Sequence, residues 1–230
     1  MIIFRKIYHK ILNLESISQV LDLGCGSGGQ TRILAQAIAG HIIGVDQFPD
    51  FIEKFNSIAQ EQNLQTRVEG VVGDMEHLPF PKESFDLIWS EGAIDNIGFE
   101  QGIAYWNSFL KQDGYVAVTC PSWFTEHPPS EVETFWTQAG SRLDTVAHNV
   151  SILQKTGYIP VATFILPESC WTEHYFRPRN AAEQELLKKY GGNKTVEAFV
   201  QSNQYEVELY AKYKQYYGYA FYIGKKYREK

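Results

Sequence analysis

The sequence is poor in cysteine and has no long apolar run. Its 230 residues include three cysteines, Cys25, Cys120 and Cys170, which are odd in number and far apart. No C-x-x-C pair occurs, so neither a metal site nor a disulfide framework is predicted, and free thiols favour a cytoplasmic location. Charges interrupt the N-terminal stretch MIIFRKIYHKILNL every few positions. This stretch is therefore expected to be neither a signal peptide nor a membrane anchor, and no membrane partner is predicted.

Positive charge is also scarce. There are 21 Lys and Arg against 27 Asp and Glu, which gives a formal net charge of −6. Broad nucleic-acid binding requires a basic face that neutralises phosphates, so nucleic acid is not an expected partner. Hydrophobic residues make up 44% and charged residues 21% of the chain, a balance typical of a globular domain.

Short apolar runs alternate with helical patterns along most of the chain. The runs predict strands at 20–23, 42–45, 67–72, 85–89, 115–119, 159–166 and 219–223. This alternation predicts an α/β fold, a doubly wound Rossmann-like sheet of seven strands that is mostly parallel with an antiparallel last strand. An aromatic last strand on a sheet edge would be able to pair with a second copy, so a homodimer is one expected assembly.

Three local features accompany this pattern. Ile3 to Leu14 predicts a short amphipathic helix. Asp50, with Glu53 three residues later, predicts an N-terminal cap for the helix that follows the second strand. Asp113 and Gly114 predict a turn into the fifth strand.

The stretch LDLGCGSGGQT, Leu21 to Thr31, fits two glycine patterns. Gly24, Gly26 and Gly29 satisfy G-x-G-x-x-G, the dinucleotide pattern, whereas Gly24, Gly26 and Gly28 satisfy G-x-G-x-G, the pattern of enzymes that use S-adenosylmethionine (SAM). Both patterns let the backbone turn sharply after a strand and let a ligand come close, ahead of a helix N-terminus. The glycines alone leave both cofactors open.

Each of the first three predicted strands has an aspartate at or just after its carboxyl end: Asp22, Asp46 and Asp74. Ligands bind at the carboxyl ends of strands in such sheets. Asp46 does not discriminate, because both cofactors carry a ribose that an acid can hold. Asp22 beside the glycine turn would repel a pyrophosphate and suit the cationic groups of SAM. Alternatively, each acid simply caps a turn or a helix.

Four successive segments resemble the class I SAM-dependent methyltransferases. They are VLDLGCGSGGQT, IIGVDQF, VVGDMEHLPFPKESFDLIWSEGA and KQDGYVAV, which together cover about Ile17 to Cys120. More narrowly, SEGAIDNIGFE, PSWFTEHPP and LPESCWTEHYF resemble a bacterial group of small-molecule methyltransferases of the type 11 kind. The resemblance implies a single methyltransferase domain over 1–230, with a helical substrate-cap insertion at about 172–214. It also implies SAM as cofactor and a small molecule as methyl acceptor.

The resemblance assigns the cofactor to the loops that follow the first four strands. The implied contacts are Asp22, Gly24, Cys25 and Gly26 for the methionine end, Asp46 and Gln47 for the ribose, Asp74 and Met75 for the adenine, and Ser90, Glu91 and Gly92 beside the methyl donor. Core packing is the alternative role for Met75.

Acceptor binding and catalysis are predicted from the segments after the fifth and sixth strands. The candidates for an acceptor pocket are Trp123, Glu126, Trp171 and Tyr175. Methyl transfer from a sulfonium is an in-line displacement that depends mainly on alignment, and a base is needed only when the nucleophile carries a proton. His127 and His174 are the candidate bases, because imidazole titrates near neutral pH. A plain hydrogen-bonding role is the alternative for each histidine.

Two other functions are compatible with these patterns. About sixteen residues precede the first strand, whereas members of the family usually carry a longer segment that covers the cofactor. A protein that binds SAM without methyl turnover is therefore one alternative, since closed sites exclude water and position the substrate. An NAD-dependent oxidoreductase is the other, although Asp22 and Asp74 argue against it.

Overall fold

The structure is a computed structural model that describes Leu12 and residues 14–227. Its sheet has seven strands in the order β3-β2-β1-β4-β5-β7-β6. The strands are β1 (Gln19–Leu23), β2 (His41–Asp46), β3 (Val68–Val72), β4 (Phe85–Glu91), β5 (Leu110–Trp123), β6 (Tyr158–Ile165) and β7 (Tyr217–Lys226). The pairs β1–β2, β2–β3, β1–β4 and β4–β5 are parallel. This confirms the predicted doubly wound sheet.

The last strand is antiparallel, as predicted. The backbone N–H of Leu166, just after β6, donates to the carbonyl of Tyr219 near the start of β7, at 2.9 Å. The N–H of Tyr227, just after β7, donates to the carbonyl of Gly157, just before β6, at 2.8 Å. The start of one strand therefore lies beside the end of the other.

The predicted edge position of β7 is wrong. β7 lies between β5 and β6, so both of its sides are hydrogen-bonded within the chain. The edges of the described sheet are β3 and β6. The pairing of β7 with a second copy, on which the expected homodimer depended, therefore has no free strand edge to use.

The helices cover the connections between strands. They are α1 (Gly29–Ala37), α2 (Pro49–Glu61), α3 (Phe99–Asn107), α4 (Ser130–Gln138), α5 (Val146–Lys155), α6 (Glu168–Trp171), α7 (Arg177–Tyr190) and α8 (Lys194–Tyr213). Short 3₁₀ turns occupy Leu14–Ser16 and Ile94–Asn96, and a π-helical turn, Thr172–Phe176, joins α6 to α7. Within the described residues, no helix has the length and apolar character needed to span a membrane.

Three local predictions differ from the structure or fall outside it. The helix predicted over Ile3 to Leu14 lies almost wholly outside the described residues. Asp50 does not cap α2, because it lies in the first turn of that helix and Phe48 is the N-cap, without a side-chain hydrogen bond. Asp113 was predicted to form a turn before the fifth strand, but it lies inside β5, which begins earlier than predicted. Its backbone is left-handed, with φ 65°, and the register between β4 and β5 shifts nearby.

The central strands explain why the sheet forms. Val20, Leu21 and Leu23 of β1 are each fully buried, as are Leu87 and Ile88 of β4. Continuous apolar runs of this kind are typical of parallel strands that are covered on both faces. One polar side chain interrupts the run in β1, and it belongs to the candidate site.

The chain divides into two compact units. Unit 1 contains Met1–Cys120, Ala147–Phe164 and Phe221–Lys230, and unit 2 contains Pro121–Val146 and Ile165–Ala220. Residues 172–214, predicted as a helical insertion, fall within unit 2. Their role as a substrate cap stays a prediction.

Candidate functional site

The glycine loop in unit 1 has three left-handed residues. Gly24, Gly26 and Gly28 have φ angles of 70°, 53° and 81°, a region that favours glycine. Gly29 is not in that region and is the first residue of α1. The backbone N–H of Gly24 donates to the carbonyl of Val45 at 2.9 Å, which ties the loop to β2. The backbone therefore requires the G-x-G-x-G triplet.

The surroundings of each glycine separate the two cofactor patterns further. A Cβ atom on Gly24 would lie 2.2 Å from the Cβ of Ala93, and one on Gly28 would lie 2.6 Å from the ring of Phe55. A Cβ on Gly26 or Gly29 would meet no atom of the described residues within 4 Å. In the dinucleotide pattern, the third glycine allows close packing of helix on strand. Gly29 makes no such close approach, and Gly26 leaves open space for a ligand.

Asp46 fastens this loop to the start of α2. Its Oδ2 accepts a hydrogen bond from the N–H of Gly26 at 2.9 Å, and its Oδ1 accepts one from the N–H of Phe48 at 3.0 Å. Asp46 thus does cap backbone N–H groups, which was the alternative role predicted for these acids. Each carboxylate oxygen has two lone pairs, so the group keeps capacity for a ligand hydroxyl. Gln47, beside it, is exposed.

One buried acid, Asp22, and one half-buried acid, Glu91, lie beside the loop. Asp22 is 2% exposed, and its Oδ2 accepts a 2.6 Å hydrogen bond from the hydroxyl of Thr31. In the register of the sheet, Asp22 pairs with Trp89, and Glu91 follows two residues later. The indole N–H of Trp89 donates to Oε1 of Glu91 at 3.0 Å. Both carboxyl groups therefore lie at the carboxyl ends of neighbouring parallel strands.

Burial dominates the titration of this acid pair. It raises the pKa of Asp22 to about 7, even though the hydrogen bond from Thr31 opposes the shift. It raises the pKa of Glu91 to about 8, and the negative charge of Asp22 adds to that rise. Burial also raises the pKa of the Cys25 thiol, which keeps the sulfur protonated. A cationic ligand group would favour the ionised form of both acids.

Other residues at the end of β4 and just after it have mainly structural contacts. The hydroxyl of Ser90 donates to the carbonyl of Leu23 at 2.9 Å, which ties β4 to β1. The N–H of Gly92 donates to the hydroxyl of Thr119 at 2.8 Å. Asp95 was missed by the sequence reasoning: its Oδ1 is buried without a hydrogen-bond partner in the described structure, and burial raises its pKa. Its position soon after a strand end is the signal that could have identified it.

Asp74 and Met75 follow β3 and differ in their surroundings. Asp74 is half-exposed, and its carboxylate contacts Nδ1 of His77 and accepts from the N–H of Glu76, each at 2.8 Å. The hydrogen bond to His77 is the main cause that lowers the pKa of Asp74. Met75 is half-buried, and its Cε lies 3.7 Å from where a Cβ on Gly24 would be. The methionine side chain thus reaches the glycine loop.

The candidates for acceptor binding all belong to unit 2. Trp123 and Trp171 are buried in a set that we call the aromatic cluster: Trp123, Val132, Trp136, Leu143, Trp171, Phe176, Tyr210 and Tyr217. The other four candidates are exposed: Glu126, His127, His174 and Tyr175. The structure thus brings the two tryptophans together and leaves the two histidines on exposed segments.

Comparison with known proteins gives one family match. Residues 20–114 match a family described as a methyltransferase domain. The chain is 30% identical to the demethylmenaquinone methyltransferase of Lactobacillus johnsonii over an aligned segment of 118 residues. This segment covers 50% of this chain and 48% of that protein. The chain spans less than half the length of the curated relatives that it matches.

Solved structures share the fold over nearly the whole chain. A SAM-dependent methyltransferase from Geobacter sulfurreducens, in complex with S-adenosylhomocysteine, superposes with a TM-score of 0.81 at 20% identity, covering 96% of this chain and 90% of that one. The [4+2]-cyclase SpnF superposes with a TM-score of 0.77 at 21% identity, covering 98% and 81% respectively. At this level of identity, the likeness concerns the fold alone.

Proposed function

We propose that this chain, whose residues 20–114 match a methyltransferase-domain family, is a class I SAM-dependent methyltransferase that transfers a methyl group from SAM to a small-molecule acceptor. The observation that carries the proposal is the acid pair of buried Asp22 and half-buried Glu91, beside a loop whose Gly26 faces open space among the described residues. SAM carries a sulfonium and an ammonium group, which suit such acids, whereas NAD carries a pyrophosphate that they would repel.

The residues of the site hold and orient the cofactor. SAM, when bound, supplies a methyl group that its sulfonium has already activated. The proposed contacts are Asp22, Gly24, Cys25 and Gly26 for the methionine end, Asp46 and Gln47 for the ribose, Asp74 and Met75 for the adenine, and Ser90, Glu91 and Gly92 beside the methyl donor. Alignment of nucleophile, methyl and sulfur is then the main catalytic effect of the chain.

Unit 2 supplies the proposed acceptor contacts, Trp123, Glu126, Trp171 and Tyr175. His127 or His174 accepts a proton where the acceptor atom carries one, since a base contributes only in that case. The three cysteines are thiols rather than disulfides, which favours a reducing compartment, so we place the protein in the cytoplasm. Its net charge of −6 argues for a small molecule rather than nucleic acid as partner.

A second candidate function is SAM binding without methyl turnover. The fold is shared with a [4+2]-cyclase, and a fold does not by itself determine the reaction. Production of S-adenosylhomocysteine from SAM across a panel of small acceptors distinguishes the two. Its absence, with tight SAM binding, would favour the second candidate.

Asp46→Ala is expected to weaken SAM binding about 10- to 100-fold, because a charge-assisted hydrogen bond contributes about 1.5–3 kcal/mol. The measurement is titration calorimetry with SAM, S-adenosylhomocysteine and NADH on wild type and variant. Asp50→Ala is the matched control, since it removes the same charge from an exposed position four residues away. It should leave affinity unchanged. Binding of NADH without binding of either adenosyl ligand would refute the proposal.

A further inference from the structure

The aromatic cluster of unit 2 buries hydrogen-bond donors that have no acceptor. The indole Nε1 atoms of Trp136 and Trp171 and the hydroxyl of Tyr217 are buried and lack a hydrogen-bond partner among the described residues. These side chains are 9%, 3% and 0% exposed. Most buried polar groups in proteins are paired, and an unpaired one is costly. Packing alone therefore gives no reason for three of them in one cluster.

The three rings contact one another. The ring centroids lie 6.2 Å apart for Trp136 and Trp171, 5.8 Å for Trp136 and Tyr217, and 5.7 Å for Trp171 and Tyr217, all edge-on. Burial raises the pKa of Tyr217, and Trp136 partly opposes this rise. The indole N–H of Trp136 lies close enough to the phenol oxygen to lower the pKa of Tyr217, although the pair lacks the geometry of a hydrogen bond. The three donors thus belong to rings that are in mutual contact.

The charge around these donors restricts what they can bind. The negative charge of Glu206 adds to the raised pKa of Tyr217. The negative charge of Glu168 acts in the same direction on Tyr210, a neighbour in the cluster whose ring lies 5.7 Å from that of Tyr217. Glu206 is paired with Arg179 and Glu168 with Lys214, and no residue of the aromatic cluster itself is cationic, so an anionic ligand would lose its hydration there without gaining a counter-ion. A neutral oxygen atom can accept from the donors without that penalty.

We propose that the aromatic cluster binds a neutral, largely apolar small molecule through a carbonyl oxygen. The rings contact the apolar body of this molecule, and Trp136, Trp171 and Tyr217 donate to its oxygen. Indole N–H and phenol O–H groups usually find a partner when buried, and the ligand supplies it. Identifying this ligand with the methyl acceptor rests on the proposed function, whereas its binding to unit 2 does not.

Three fluorinated probes test the chemical class. Fluorine NMR line broadening is recorded for 4-fluoroacetophenone, 1-ethyl-4-fluorobenzene and 4-fluorobenzoate as each is titrated with the full-length protein. The ketone is expected to bind saturably, and the hydrocarbon at least about fivefold more weakly, because it offers no acceptor. The benzoate is expected not to bind saturably. Equal affinity of ketone and hydrocarbon, or no binding of the ketone, would overturn the proposal.

Tyr217→Phe separates a binding site from a packing defect. It keeps the ring and removes the unpaired hydroxyl, so the melting temperature should rise by about 2–4 °C, whereas the Kd for 4-fluoroacetophenone should increase about fivefold. Trp171→Phe should raise the same Kd by a similar factor. Tyr216→Phe, at the half-buried neighbouring position, is the matched control and should not change it. Unchanged ketone affinity in Tyr217→Phe together with a lower melting temperature would show that the hydroxyl is only structural.

The calorimetric titration with SAM distinguishes failure of this inference from failure of the proposed function. If SAM binds and the ketone does not, the cluster is not a ligand site and the proposed function stands. If the ketone binds in the predicted way and SAM does not, the inference stands and the proposed function fails.

Discussion

Gly26→Ala is expected to weaken SAM binding at least about 100-fold while the protein stays folded. The left-handed backbone of Gly26, φ 53°, adds a strain of about 1–2 kcal/mol for a residue with a side chain. Within Leu12 and residues 14–227, no atom lies within 4 Å of the new methyl group, so packing against these residues adds no further cost. The methyl group instead occupies the open space that we assign to the cofactor. Calorimetry and urea unfolding measure the two effects separately.

Two neighbouring glycines provide the controls. Gly24 has a left-handed φ of 70°, and the methyl group of Gly24→Ala would lie 2.2 Å from the Cβ of Ala93. This substitution should therefore lower the free energy of unfolding by about 3 kcal/mol or more. Gly29→Ala has neither strain nor a close neighbour and should change neither property. Loss of cofactor binding in Gly29→Ala would instead favour the dinucleotide pattern. Normal SAM binding by Gly26→Ala would contradict the assigned cofactor position.

Glu91→Gln is expected to stabilise the folded protein by up to about 4 kcal/mol at pH 8, with little effect near pH 4. The ordinary pKa of a glutamate is 4.5, and burial raises that of Glu91 to about 8 in the folded chain. Between these values the folded state binds more protons than the unfolded state, so wild-type stability falls as pH rises. Gln does not titrate, and its carbonyl can still accept from the indole of Trp89.

The test compares unfolding free energies of wild type and variant from pH 4 to pH 8. Taking the difference cancels the titration of acids that both proteins share. Glu53→Gln, which changes an exposed residue of α2, is the matched control and should show no such pH dependence. In Glu91→Gln, the affinity for SAM at pH 8 should also fall, because the variant lacks a carboxylate that acts as a counter-ion of the cofactor. A constant difference across the pH range would mean that Glu91 has its ordinary pKa in the folded chain.

Much of the sheet could be predicted because its strands are buried on both faces. Such strands appear as short apolar runs, and the observed bounds of β1 and β2 differ from the predicted ones by at most one residue. The length of β5 could not be predicted, because its first residues are polar and its left-handed Asp113 looks like a turn. The interior place of β7 could not be predicted either, since chain order does not determine spatial order.

The candidate site was predictable where it depends on topology. Acids that end parallel strands meet at one edge of a sheet, so Asp22 and Asp46 were expected beside the glycine loop. The burial of Glu91 near Asp22 depends on register, which the apolar pattern of β4 does not specify. The unpaired indole of Trp171 depends on side-chain packing, which sequence spacing does not determine.

The interior position of β7 has a consequence for synthesis of the chain. β6 is complete when the ribosome has made Ile165, but its hydrogen-bonding neighbour begins only at Tyr217. During that interval the nascent chain exposes an unpaired strand, which is open to chaperones and to mispairing. Translation stopped between these two positions would therefore leave the place between β5 and β6 empty, and β6 would lack the strand that joins it to the sheet.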